Sequence, residues 1–128
     1  MDASVASDER RVAWTSPPAA AQPIDLVHLS RYTLGNQALQ SEVLQLFAEQ
    51  APLTLAQLRA ADTQKAWRDA AHTLKGSARA VGAWRVGNCA EKAEAVGVGA
   101  QEKGPLIQAI GAALDEATRY IASLAQQP

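Results

Sequence analysis

The chain has 128 residues, room for one domain and a tail but not for two domains. Hydrophobic residues make up 48% of it, much of that alanine, with one Phe and two Tyr, a balance that favours closely packed helices over sheets. Twelve basic and thirteen acidic residues leave a net charge of −1, which excludes global attraction to nucleic acid or an anionic membrane, and the single cysteine excludes an internal disulfide or a Cys-pair metal site.

Residues 1–22 are rich in Ala, Pro, Ser and charge and read as a flexible tail ahead of a domain over 23–126. The tail has no apolar run of roughly 7–15 residues, so no secretory leader is expected, and the Arg10-Arg11 pair lacks the apolar stretch of a twin-arginine signal. No segment approaches the roughly 18 apolar residues of a membrane span. A cytoplasmic location is expected, with Cys89 a small buried helical residue in a reducing compartment. Trp14 reads as a solvated tail residue.

A short first helix follows Pro23, with Ile24, Leu26, Val27 and Leu29 as its apolar side and a stop near Gly35-Asn36. His28 lies on it with no second ligand-type residue nearby and reads as a packing or surface residue. The second helix spans about 36–61. Leu39, Val43, Leu46, Phe47 and Gln50 follow the spacing of one face, Pro52 interrupts, and Leu53, Leu55 and Leu58 resume it, so one kinked helix or two abutting helices are expected. Asp62 or Thr63 caps the third helix, over about 64–83. The fourth runs from Trp84 or Val86 to about Val96, where Gly97 and Gly99 end it. The fifth starts after Gly104-Pro105 and carries a stripe of Leu106, Ile107, Ile110, Leu114, Ala117, Ile121 and Leu124. No segment alternates with period two. The reading is all-α: an up-down-up-down four-helix bundle with a short extra N-terminal helix.

The third helix carries the chemistry. With successive residues turned by about 100°, Trp67, Ala70, Ala71, Ser77, Ala78 and Val81 fall within about 60° of Leu74 and form a core stripe. His72 falls about 160° away and points to solvent. Around it lie Lys65, Arg68, Lys75 and Arg79, with Gly76 and Ala83 on the same outward side. Neutral imidazole is a nucleophile. Lys75, at i+3, is placed to pair with a phosphoryl group on the ring. Gly76, in mid-helix, costs about 1 kcal/mol relative to alanine and leaves open space beside the ring for a bulky partner. Phosphoryl transfer depends largely on positioning and charge neutralisation, so this set is chemically sufficient.

The run His72-Thr73-Leu74-Lys75-Gly76-Ser77-Ala78-Arg79-Ala80-Val81-Gly82-Ala83 resembles the signature of the histidine-phosphotransfer (HPt) family: His, any residue, Leu, Lys, Gly, two small residues, two variable ones, an apolar residue, Gly, Ala. The resemblance covers about 24–125 in organisation and is tight over 72–83. It implies that His72 takes a phosphoryl group from a receiver-domain aspartate and gives it to another, that Lys75 helps hold that group, that Gly76 provides clearance, and that Gly82 closes the helix. Some members carry a Gln on the following helix against the histidine; the best match here is Glu94, a carboxylate able to orient the imidazole through its N–H.

The expected protein is therefore a phosphocarrier, not an enzyme with small-molecule turnover, and a monomer. Its partners are receiver domains of response regulators or hybrid kinases, which dock over Lys65, Arg68, Arg79, Gly82 and Ala83. It needs no cofactor of its own; Mg²⁺ belongs to the receiver. The alternatives are the histidine-bearing substrate domain of a larger chemotaxis-type or hybrid kinase, and an adaptor that binds a receiver without phosphotransfer. A dimeric phosphotransferase would need an ATPase-like domain that the chain lacks.

Overall fold

A computed structural model describes residues 22–126. The tail read over 1–22, with Arg10, Arg11 and Trp14, lies outside the described residues apart from Gln22. The described residues form five helices and no strand: α1 (Leu26–Thr33), α2 (Gln37–Ala60), α3 (Gln64–Ala80), α4 (Trp84–Ala95) and α5 (Lys103–Ala125). Short polar residues set the first three starts, each accepting an orphan backbone N–H: Asp25 from His28, Asn36 from Leu39, and Thr63 from Ala66. The loops are short, so successive helices run antiparallel. α2, α3, α4 and α5 close a ring in which each packs on its sequence neighbours and α5 returns to α2, while α1 packs on α2. This is the expected up-down-up-down bundle with an extra N-terminal helix.

The core holds α3's stripe of Trp67, Ala70, Ala71, Leu74 and Ala78, with Val81 just beyond it. Ser77 sits at the exposed rim, its hydroxyl donating to the Leu74 carbonyl at 3.2 Å. Trp67 is fully enclosed, and its indole N–H donates to the Ala93 carbonyl at 2.7 Å, tying α3 to the last turn of α4. Across from it α5 buries Ile107, Ile110, Ala113, Leu114, Ala117 and Ile121. Cys89 is half-buried against this core.

Three expectations need correction. α2 is one helix through Pro52, the first of the two expected forms, but its core face is Leu44, Phe47, Ala51, Leu55 and Leu58. Of the residues read as core, Leu39, Leu46 and Leu53 are 42%, 58% and 59% exposed. They recur every seven residues, two turns apart, as a second stripe rotated away from the bundle. α5 begins at Lys103, so Gly104 and Pro105 lie in its first turn rather than ahead of it.

The third concerns the end of α3, which stops at Ala80 rather than Ala83. Gly82 adopts φ +80°, its N–H donates to the Arg79 carbonyl at 3.2 Å, and the Ala83 N–H reaches back to the Ala78 carbonyl at 2.8 Å. This pair of bonds is the Schellman closure, which favours glycine at the left-handed position. The Asp25 N–H donates to the Gly82 carbonyl at 2.9 Å, and the Asp25 carboxylate accepts from the Trp84 indole N–H at 2.9 Å. α1 is thereby latched onto the α3–α4 turn. His28 packs edge-on against Trp84 and Tyr32, at 4.7 and 5.2 Å between ring centroids, a packing role.

Candidate functional site

α3 buries one stripe and so turns its opposite side outward. There the His72 side chain is 68% exposed. The adjacent α4 lies alongside and brings Glu94 to the ring. The Glu94 carboxylate meets His72 Nδ1 at 2.8 Å through one oxygen and Lys75 Nζ at 2.6 Å through the other. Lys75 and Glu94 are largely covered, at 20% and 22% exposure, so the pair is held while the ring projects. The Lys75 ammonium first, and then the His72 ring, hold the Glu94 carboxyl below its ordinary range.

An ionised carboxylate can only accept a hydrogen bond. Nδ1 therefore carries a proton, and in the neutral ring Nε2 holds the lone pair. No described residue bonds to Nε2. One turn further on, a Cβ built at Gly76 would meet nothing within 4 Å, so the surface beside the ring is open. The arrangement supplies an exposed nitrogen nucleophile, fixed in tautomer and orientation, with an ammonium group one turn away.

The remaining basic residues are less free than the helical wheel implies. Lys65 pairs with Asp69 at 2.6 Å, and this bond holds the Asp69 carboxyl below its ordinary range. Arg79 pairs with Glu91 of α4 at 2.6 Å. Arg68 is exposed and has no ion pair among the described residues. The outward face is thus a mosaic of ion pairs, in which Asp69 and Glu91 are site residues that the sequence reading missed. Asp69 stands four residues after Lys65, a spacing that signals such a pair; nothing in the sequence pairs Glu91 with Arg79 across two helices.

Two residues assigned to docking do not belong there. Gly82 and Ala83 are buried. A Cβ at Gly82 would fall 2.8 Å from the Asp25 carbonyl oxygen, and Ala83 packs inside the start of α4. The wheel placed Ala83 outward only by extending the helix past its real end. Lys65, Arg68 and Arg79 do share the outward side of α3 with His72.

The model of the Hpt domain family matches residues 42–127, which is 86 of the chain's 128 residues. The chain belongs to the Hpt domain family. No curated protein and no solved structure matches it. Hpt domains are phosphocarrier modules of two-component phosphorelays, working by histidine phosphotransfer with receiver domains. The Hpt match encloses the whole outward face of α3 and the α4 residues that brace it, leaving α1 outside. No helix among the described residues is long and apolar enough to cross a membrane.

Proposed function

We propose that this chain carries a phosphoryl group on Nε2 of His72, accepting it from a receiver phospho-aspartate and passing it to the aspartate of a second receiver. The observation that carries this reading is the Nδ1–Glu94 bond, which leaves Nε2 as the free ring nitrogen on an exposed imidazole. In the accepting step the Nε2 lone pair attacks phosphorus in line, and the electron pair of the breaking P–O bond returns to the receiver carboxylate. In the donating step a second carboxylate attacks and the N–P pair returns to Nε2.

Lys75 stands one turn from the ring to offset phosphoryl charge. Gly76 gives the receiver's active site room to approach. Lys65, Arg68 and Arg79 border the ring and meet the acidic receiver pocket, where the Mg²⁺ for the reaction resides. The protein works as a monomeric carrier in the cytoplasm.

The test is transfer of radiolabel from a phosphorylated receiver, or a receiver-bearing kinase, to the purified chain, with His72→Gln as control. Acid-labile, base-stable label that disappears in His72→Gln is the expected result. Retained binding with no label across a panel of donors would replace the carrier reading with a receiver-binding adaptor.

A further inference from the structure

The residue gripping the histidine is a carboxylate, and both of its oxygens are engaged: one by the Nδ1 proton of His72 at 2.8 Å, the other by Lys75 at 2.6 Å. A neutral amide could orient the ring equally well. A carboxylate also stabilises positive charge on it. That difference bears on the chemistry, because imidazole bonded to phosphorus through Nε2 is cationic as long as Nδ1 keeps its proton.

Resting on the reading of His72 as the carrier, we propose that Glu94 is a positioning residue that keeps the Nδ1 proton on the ring through both halves of transfer, so the relay runs without moving a proton. When the Nε2 lone pair forms the N–P bond, the neutral ring becomes a phospho-imidazolium, and its new charge lies directly against the Glu94 carboxylate. When the N–P bond breaks, the electron pair returns to Nε2 and the ring leaves as the neutral Nδ1–H tautomer that the Glu94 contact favours. Nothing has to be deprotonated on acceptance or reprotonated on donation. Without the carboxylate, the phosphorylated ring would lose its Nδ1 proton to solvent as pH rises, and the neutral form is a poor leaving group.

The surrounding charges leave this role to Glu94. On α3, Arg68 and Asp69 stand one turn before His72 and Lys75 one turn after it; Asp69 is engaged by Lys65. On α4, Glu91 lies one turn before Glu94 and is held by Arg79. On α2, the other helix packed on α3, the charged residues are Glu42, Glu49 and Arg59, and none pairs with α3 among the described residues. Among the described residues, Glu94 alone makes a side-chain hydrogen bond or ion pair with the ring. Lys75 offsets part of its charge, and the phosphoryl group adds negative charge on the opposite ring nitrogen, which again favours the cation.

The experiment needs no receiver. The full chain is phosphorylated with phosphoramidate, His72→Gln assigns the phosphohistidine signal in the ³¹P spectrum, and loss of the group to water is followed from roughly pH 6 to 9 in wild type and Glu94→Gln. Glu94→Gln keeps one acceptor oxygen for Nδ1 and removes the charge, with an amide NH₂ in place of the oxygen that held Lys75. The expected wild-type rate is flat across this range, whereas that of Glu94→Gln falls with pH, approaching about tenfold per unit at the alkaline end. Matching profiles would overturn the proposal while leaving the carrier reading intact. Absence of a His72-dependent signal would overturn both. Should Glu94→Gln fold poorly, the ¹⁵N resonance of Nδ1 in wild-type phospho-His72 at alkaline pH decides alone: protonated supports the proposal, deprotonated ends it.

Discussion

On the proposed reading, Gly76 separates stability from function in a single position. It lies inside the 17-residue α3, is exposed, and offers an added Cβ no neighbour within 4 Å. Nothing in the fold therefore requires glycine there. Its backbone freedom costs about 1 kcal/mol relative to alanine in a helix interior, and no packing loss offsets a replacement. Gly76→Ala should raise stability by about 1 kcal/mol, which at this domain size is a rise of roughly 4–8 °C in Tm. Gly76→Gln should recover most of that gain, since glutamine is a good helix former, yet it projects a long side chain one turn from His72. Thermal unfolding and phosphotransfer from a receiver are measured on the same preparations. The expected outcome is a rise in Tm for both variants, with transfer nearly abolished in Gly76→Gln. A fall in Tm would show that the glycine serves packing. Normal transfer by folded Gly76→Gln would refute steric clearance.

Gly82 should behave in the opposite way: Gly82→Ala forces a side chain into a left-handed backbone and against Asp25 at 2.8–3.0 Å, for a loss of about 2–4 kcal/mol by urea unfolding. Trp67→Phe keeps most of the apolar volume but leaves the buried Ala93 carbonyl without its indole donor, and calorimetry should register about 1–3 kcal/mol of destabilisation. Glu94 has its folded-state pKa lowered below the ordinary 4.5, so its contribution to stability is present above that value and lost as pH falls through the folded value. Glu94→Gln should thus unfold at lower urea than wild type at neutral pH, with the gap closing under acid conditions; a gap that persists at about pH 3 would contradict the ion-pair assignment.

The outward placement of His72 was legible because α3 buries a complete stripe, and a stripe fixes every other direction on a helix. The same argument misjudged α2, where two sets of residues follow 3–4 spacing: Leu39, Val43, Leu46 and Leu53 on one side, and Leu44, Phe47, Leu55 and Leu58 on another. Periodicity identifies a face but not which of two faces meets the core, and Leu46 and Leu53 proved to be the exposed set. Ala83 failed for a different reason. A wheel angle means nothing beyond the helix end, and the closing glycine at 82 moved that end back to Ala80. The Glu94 contact with His72 was legible only through the family resemblance, since α3 and α4 meet across a turn whose geometry no local pattern encodes. That Glu94 also binds Lys75 was not legible at all.

The ion pairs bear on how such a face can be both quiet and ready. Exposed pairs such as Lys65–Asp69, at 83% and 59% exposure, are screened by solvent and add little to stability. On the proposed reading, a docking receiver can break them at little cost and take the cation for its own carboxylates. Arg68, unpaired among the described residues, needs no such exchange. Lys75–Glu94 differs from the other pairs: its side chains are more covered, at 20% and 22% exposure, and its carboxylate is joined to the histidine, so among the described residues Lys75 is the cation held beside the ring. Positioning, more than net charge, stabilises a transferring phosphoryl group. The face can then be nearly neutral overall while the single ammonium closest to the chemistry stays fixed, and the carboxylate that fixes it is the same one that holds the ring.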